Sequence, residues 1–134
     1  METNELLIKM TSAPLIGFDG LNSIPIASGV YTAWLCEESR CFYVGKTKKL
    51  KQRIKQHFSG ARGGDQFCLY VYDEYIHELR CSKHSKLTTY EVNKLTGKWI
   101  QEGVKFKWIK LDNNEIEDAE KFLKRKLKPI LNPT

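Results

Sequence analysis

The chain has 134 residues, of which 41% are hydrophobic and 28% charged, and a formal net charge of +6. This length suits one domain around one core, and the composition excludes a largely disordered protein. No apolar stretch approaches the roughly 20 residues that a membrane helix needs, and the charged residues among the first ten exclude a secretory signal, so we expect a cytoplasmic protein with no membrane partner.

Residues 1–28 are predicted to form an N-terminal extension that packs on the domain. Regular structure is interrupted in this segment by Pro14, Gly17, Gly20 and Pro25. No repeat, low-complexity run or flexible linker divides the remainder. Residues 29–134 are therefore predicted to be a single domain.

A β-hairpin is predicted to follow the extension. Its strands are Val30 to Leu35 and Cys41 to Val44, both rich in β-branched or aromatic residues, with a polar turn between them. Symmetric pairing about that turn predicts Tyr31 opposite Tyr43 on one face.

The first core helix is predicted over about residues 48–59, with Thr47 as its N-cap. Its apolar stripe consists of Leu50, Ile54 and Phe58. Arg53 and His57, at i and i+4, flank that stripe, a placement that suits phosphate binding and proton transfer. The alternative is an arginine whose stem covers apolar surface and a histidine bonded to a backbone carbonyl. For His57 taken alone, this alternative is favoured.

Four further elements complete the prediction: a strand at Phe67 to Tyr72, a helix from about Ser85 to Glu102, a strand at Val104 to Leu111 and a helix from Glu115 to about Lys128. The fold class is α/β in the broad sense (α+β). We expect a small, mostly antiparallel central sheet of three core strands flanked by helices.

The last helix carries one acidic residue on its apolar face. The inward arc comprises Ile116, Ala119, Leu123 and Leu127, and Glu120 lies within it. A carboxylate placed there must bind a cation or find hydrogen-bond partners, because burying it unpaired is costly. A metal ligand and a buried ion pair, for example with Arg53, are equally compatible with this pattern.

Basic residues concentrate on the first and last of these helices. The clusters are Lys46, Lys48, Lys49, Lys51, Arg53 and Lys55, and Lys121, Lys124, Arg125, Lys126 and Lys128. The positive charge favours a polyanionic partner. On charge alone, solvated outer faces are the preferred interpretation.

An ordered set of residues links these separate observations: Gly29-Val30-Tyr31, Phe42-Tyr43-Val44-Gly45-Lys46-Thr47, Leu50 with Arg53 and His57, Glu120, and Pro129-Ile130-Leu131-Asn132. The set resembles the GIY-YIG endonuclease family, whose naming triplets read Gly-Val-Tyr and Tyr-Val-Gly here. Arg53 stands ten residues after Tyr43, and Glu120 twelve before Asn132, spacings similar to those of the nuclease domain in bacterial excision repair. The segment from Phe58 to Phe67 is similar to small stand-alone bacterial members.

The resemblance implies a metal-dependent endonuclease that hydrolyses DNA and leaves 5′-phosphate and 3′-hydroxyl ends. It implies that Glu120 holds one divalent metal, Mg²⁺ or Mn²⁺. Tyr31 would activate the attacking water, which demands a cationic neighbour such as Lys46 or Arg53 because the pKa of free tyrosine is about 10. Arg53 would also clamp the scissile phosphate.

The resemblance also implies supporting roles. Tyr43 would position water or phosphate, and His57 would share the base role or orient Tyr31. Asn132 would tether the C-terminal return or assist at the phosphate. The expected substrate-binding residues are Lys46, Thr47 and Lys49.

Two alternatives to catalysis remain. One is a non-catalytic nucleic-acid-binding module that reuses the fold, and the other is an inert structural protein in which Glu120 and Arg53 pair. The inward carboxylate favours catalysis over simple binding, because without a metal it would repel phosphate. The sequence does not distinguish between double-stranded, single-stranded and branched DNA as the substrate, and RNA is a further alternative. It also does not distinguish between a monomer and a homodimer.

Overall fold

The computed structural model of the protein describes residues 1–36, 40–78 and 87–133. Within these ranges a three-stranded antiparallel sheet is flanked by helices, which confirms the α+β prediction. The strands are β1 (Gly29–Leu35), β2 (Cys41–Thr47) and β3 (Val104–Lys110). The α-helices are α1 (Thr3–Ser12), α2 (Leu50–Ser59), α3 (Gln66–Val71), α4 (Thr89–Gly103) and α5 (Ile116–Leu127). A 3₁₀ turn spans Phe18–Ser23, and a π-helical turn at Tyr72–Ile76 continues α3.

The predicted hairpin is present, but its register differs from the prediction. β1 lies between β2 and β3, and Tyr31 pairs with Gly45 while Ala33 pairs with Tyr43. The expectation that Tyr31 faces Tyr43 directly is therefore wrong. The register shifts near the turn, between Ala33 and Trp34, so the strands are not symmetric about it. The two tyrosines are diagonal neighbours on one face, with ring centroids 6.3 Å apart.

Residues 66–71 form helix α3, so the predicted strand at Phe67 to Tyr72 is wrong. The β-branched and aromatic composition of this run suggests a strand, but Asp65 is an N-cap whose side chain accepts from the Cys68 N–H at 3.0 Å. Phe67, Cys68 and Val71 are buried at helical spacing. Capping and tertiary burial override intrinsic strand propensity here.

The helix boundaries also differ in detail. α2 begins at Leu50, and Lys49 occupies the cap position without a side-chain cap bond. Thr47, predicted as the cap, instead accepts a hydrogen bond from the Lys49 N–H at 3.0 Å. α4 begins at Thr89 behind a capping box made by Thr88 and Glu91, whereas the predicted start at Ser85 lies outside the described residues.

The two faces of the sheet pack against different helices. Tyr31 and Ala33 of β1 belong to one apolar cluster with Leu50 and Ile54 of α2. Val30 belongs to a second cluster, on the other face, with residues of α1 and α5. This alternation along β1 brings α2 to the Tyr31 face and α5 to the opposite face.

The segments outside the sheet are attached to it on both sides. In the N-terminal part, Ile16 forms a two-way backbone bridge with Phe106 of β3. The boundary predicted at residue 28 stays a prediction. At the other end, Ile130 and Leu131 donate backbone hydrogen bonds to Cys41 and Phe42, so the C-terminal return covers the outer edge of β2. In the described part of the chain no helix has both the length and the hydropathy to cross a bilayer.

Candidate active site

Tyr31 lies at the centre of a buried cluster on the α2 face of the sheet. Its side chain is 1% exposed, and its hydroxyl lies 2.7 Å from Nε2 of His57. The ring packs over Gly45, its partner on β2, where a Cβ atom would overlap Cζ and Oη of Tyr31. Any side chain at position 45 would therefore displace the phenol.

His57 is bonded on both ring nitrogens. It is fully buried, and Nδ1 lies 3.0 and 2.9 Å from the two carboxylate oxygens of Asp65. The alternative expected from sequence, a histidine satisfied by a backbone carbonyl, is therefore wrong. Asp65 was missed from the sequence; the available signal was an acidic residue at the cap position before an apolar run.

The protonation states of this pair follow from burial and mutual contact. Burial is the largest effect on His57 and lowers its pKa, although Asp65 acts in the opposite direction. Burial opposes ionisation of Asp65, yet the hydrogen bonds from His57 and Cys68, with the charge of Arg53, keep the pKa of Asp65 below its usual range. The favoured state near neutral pH is a neutral imidazole beside a carboxylate.

Arg53 lies next to both tyrosines at the edge of this cluster. Burial raises the pKa of Tyr31 well above its usual value, and burial raises the pKa of Tyr43 to about 12. The positive charge of Arg53 acts against both shifts, so Arg53 is the cationic neighbour that Tyr31 was expected to need. Its effect is smaller than that of burial, so Tyr31 is a neutral phenol in the free protein. The Arg53 guanidinium donates to Gln56 Oε1 at 2.9 Å.

A shallow groove lies beside Arg53. It is lined by Thr47, Lys48, Lys49, Gln52, Arg53 and Gln56. The structure thus brings Thr47 and Lys49, two of the predicted substrate-binding residues, next to Arg53. Both lysines are exposed. This surface offers ammonium groups and a guanidinium to a chain of phosphates.

Glu120 lies on α5, on the opposite side of β2. Its side chain is 16% exposed, and its carboxylate is 4.0 Å from Nζ of Lys46 and 3.9 Å from Nζ of Lys124. Lys46 and Lys124 take the place of the Arg53 partner considered from sequence, and Arg53 instead lies beside Tyr31 and donates to Gln56 and Gly64. Burial is the main cause of the raised pKa of Tyr43, and the negative charge of Glu120 adds a smaller contribution in the same direction.

Lys46 belongs to the Glu120 side of this arrangement rather than to the Tyr31 side. It pairs in register with Val30, whose side chain lies on the α5 face, and its Nζ is 4.0 Å from both Glu117 and Glu120. Of the two cations expected beside Tyr31, only Arg53 takes that place among the described contacts.

The donor set at Glu120 fits a hard divalent cation. A carboxylate that is partly exposed and only loosely paired, at about 4 Å from two ammonium groups, offers oxygen ligands to an ion that keeps most of its waters. A second candidate group, His57, Asp65 and Cys68, has ligand atoms within 4.8 Å of one another. Its chemistry suits a metal less well: the His57 and Asp65 atoms bond each other, and burial raises the pKa of the Cys68 thiol, which opposes the thiolate that a metal needs.

Asn132 is bonded to the backbone of β2. Its Nδ2 donates to the Val44 carbonyl at 2.6 Å, and its Oδ1 accepts from the Val44 N–H at 3.1 Å. This is the geometry of the tether considered from sequence. The tether holds β2 between Tyr43 and Gly45, the strand positions next to the buried cluster.

The arrangement as a whole spans the outer strand of the sheet. Tyr31, Tyr43, Arg53 and His57 form one cluster on the α2 face, and Glu120 lies on α5, which packs on the other face of the sheet. A family model described as the GIY-YIG catalytic domain matches residues 8–134. No curated protein and no solved structure matches the chain.

Proposed function

Because the chain belongs to the GIY-YIG catalytic-domain family, a family of nucleases, we propose that it is a metal-dependent DNA endonuclease. Hydrolysis would break the P–O3′ bond and leave a 5′-phosphate and a 3′-hydroxyl. The observation that carries the proposal is the contact of the Tyr31 hydroxyl with a neutral His57, beside a half-buried Arg53 that lines a basic groove. A proton acceptor and a phosphate-binding group are thereby adjacent.

Tyr31 is the residue that we assign to water activation. A neutral phenol accepts a proton from water only if it passes its own proton on, and His57 Nε2 lies 2.7 Å away for that purpose. Because Tyr31 is 1% exposed, we assign the approach of water to the side of the cluster where Arg53 lines the groove. Phosphate binding at Arg53 would bring substrate and water to this point together.

Arg53 is assigned to the scissile phosphate. A guanidinium presents two parallel N–H donors to phosphate oxygens and stabilises the charge that develops on them. Thr47, Lys46 and Lys49 would bind neighbouring phosphates. Tyr43, whose ring centroid lies 6.3 Å from that of Tyr31, would position water or phosphate.

Glu120 would hold the divalent cation, Mg²⁺ or Mn²⁺. When bound, the ion supplies positive charge for a non-bridging phosphate oxygen and for the leaving 3′ oxygen. The Lys46 and Lys124 ammonium groups occupy the neighbourhood of the carboxylate in the free protein and would yield to the ion. Asn132 would keep β2 in place through its two bonds to Val44.

The test is cleavage of defined substrates by the purified protein. Supercoiled, single-stranded and branched DNA, with a matched RNA, are incubated with Mg²⁺, Mn²⁺ or EDTA. Metal-dependent nicking, abolished by EDTA, supports the proposal, and the substrate panel fixes the preferred nucleic acid. Metal-independent retention of DNA without any cleavage would instead identify a binding module that reuses the fold.

A further inference from the structure

A carboxylate lies behind the proposed proton acceptor. Asp65, which is 2% exposed, contacts the Nδ1 side of His57, and Tyr31 contacts the Nε2 side. The three side chains thus form one buried series from phenol to imidazole to carboxylate, with steps of 2.7 and 2.9 Å. Each belongs to a different part of the fold: β1, α2 and the turn before α3.

The position of Asp65 is fixed independently of His57. Its Oδ1 accepts from the Cys68 N–H at 3.0 Å, which makes Asp65 the N-cap of α3. The cap holds the carboxylate from one side while His57 bonds it from the other. Asp65 therefore cannot turn away from the imidazole without also releasing the start of the helix.

This geometry determines which ring nitrogen carries the proton. An ionised carboxylate only accepts hydrogen bonds, so the proton shared with Asp65 must be on Nδ1 of His57. Nε2 then carries a lone pair and accepts from the Tyr31 hydroxyl. With the opposite tautomer, Nε2 would donate to Tyr31, and two acceptors, Nδ1 and the carboxylate, would face each other at 2.9 Å.

We propose that Asp65 is a positioning residue for the nuclease reaction, holding His57 in the tautomer whose Nε2 takes the proton of Tyr31. The inference rests on the proposed function. In the reaction, the Tyr31 hydroxyl proton moves to His57 Nε2, and a proton of the attacking water moves to the Tyr31 oxygen. The resulting hydroxide forms the new P–O bond as the P–O3′ bond breaks.

Asp65 stabilises the state that follows. The imidazolium formed on His57 carries a proton on each nitrogen, and the carboxylate bonds the Nδ1–H and offsets the new charge in a buried site. The leaving 3′ oxygen takes a proton from solvent. After hydrolysis, Tyr31 releases its proton to solvent as His57 Nε2 returns a proton to the Tyr31 oxygen. The protons therefore balance over one turnover.

The test uses substitutions that separate the two roles of Asp65. Asp65→Asn and Asp65→Ser both retain an oxygen that can cap α3, but neither supplies a negative charge. We expect kcat to fall at least ~100-fold in both, the range of a lost acid–base contribution, while KM changes less than about twofold. The matched control is Asp73→Asn, which removes an exposed carboxylate just beyond α3 and should leave cleavage unchanged.

A second measurement needs no cleavage. The ¹⁵N shifts of His57 in the free protein report its tautomer, and we expect the proton on Nδ1 in the wild type and a shift toward Nε2 in Asp65→Asn. The tautomer of His57 in the wild type can be determined without any variant. The measurement therefore tests the inference even if Asp65→Asn fails to fold. A wild-type His57 protonated on Nε2 would overturn the inference.

Failure of the inference differs from failure of the proposed function. If the wild type cleaves DNA and the Asn and Ser variants keep kcat within about threefold, well short of an acid–base contribution, then Asp65 only caps α3 and the inference is wrong. If the wild type cleaves no substrate with any metal, then the nuclease proposal fails and the catalytic role of Asp65 fails with it.

Discussion

Gly45 and Tyr31 are cross-strand partners, and the ring of Tyr31 occupies the space that a side chain on Gly45 would fill. The two triplets that give the family its name, Gly29-Val30-Tyr31 and Tyr43-Val44-Gly45, therefore meet in the structure. Gly45, the last residue of the second triplet, lies under the ring of Tyr31, the last residue of the first. Because β2 carries Gly45 and is fixed at Val44 by Asn132, the position of the phenol depends on the strand beside it.

Replacing Gly45 with alanine tests this contact. We expect Gly45→Ala to lower the free energy of unfolding by about 1–3 kcal/mol, as overpacking does, and to reduce cleavage because the phenol moves away from His57. Denaturant unfolding and a nicking assay measure the two effects. The control is Gly63→Ala, at a site where an added Cβ meets nothing within 4 Å. Wild-type stability and activity in Gly45→Ala would show that the sheet accommodates the methyl group.

Glu120→Ala should abolish cleavage, because Glu120 is the carboxylate assigned to the metal. DNA binding should survive or improve, since the substitution removes a negative charge near the phosphate. The matched control is Glu117→Ala: Glu117 lies on the same helix and equally close to Lys46, at 4.0 Å, but is more exposed. Cleavage and filter binding are compared in Mg²⁺. Activity retained in Glu120→Ala would place the metal elsewhere.

Arg53→Lys tests the assignment of the phosphate. A lysine keeps the charge but not the two-pronged donor geometry, and we expect kcat/KM to fall by roughly 10²–10³, the loss seen for a single transition-state donor. Lys55→Arg, an exposed exchange of cations on the same helix, controls for the general effect of such a change. Near-normal turnover in Arg53→Lys would remove Arg53 from the reaction centre.

The stability of the fold should depend on pH through His57. Burial holds the pKa of His57 below its usual value of about 6.5, so the stability it contributes is complete above that value and is lost as the pH falls toward the folded pKa. Asp65 acts in the same direction at lower pH, because its pKa is also lowered. We expect the thermal midpoint to fall between about pH 7 and pH 5, and to fall less in His57→Gln. A midpoint that is constant over this interval would contradict the protonation state assigned to His57.

The sequence predicted the elements that carry periodic signals. The apolar stripe of α2 correctly predicted that His57 points to the core, and the stripe of α5 predicted Glu120 within the inward arc, where its side chain is 16% exposed. The hairpin was predicted from its composition, but its register was not, because a shift near the turn changes every pairing and leaves no clear mark in the sequence.

Asp65 was not predicted as a site residue, although its position before an apolar run is the sequence signal of an N-cap. Its contact with His57 depends on how the chain turns between α2 and α3, where Gly60 and Gly64 have φ angles of 74° and 70°. Backbone conformations of this kind are specified by local turns and by packing, not by periodicity. If residues 66–71 are interpreted as a strand, Asp65 is assigned to a loop and cannot be recognised as an N-cap.

The attachment of the C-terminal return to β2 has a consequence for solubility as well as for the site. An outer strand with free backbone groups is a template on which another chain can add a strand, and Ile130, Leu131 and Asn132 occupy those groups on β2. Trimming the chain before Ile130 would expose them and invite self-association. Loss of activity in such a shortened protein would then be accompanied by aggregates.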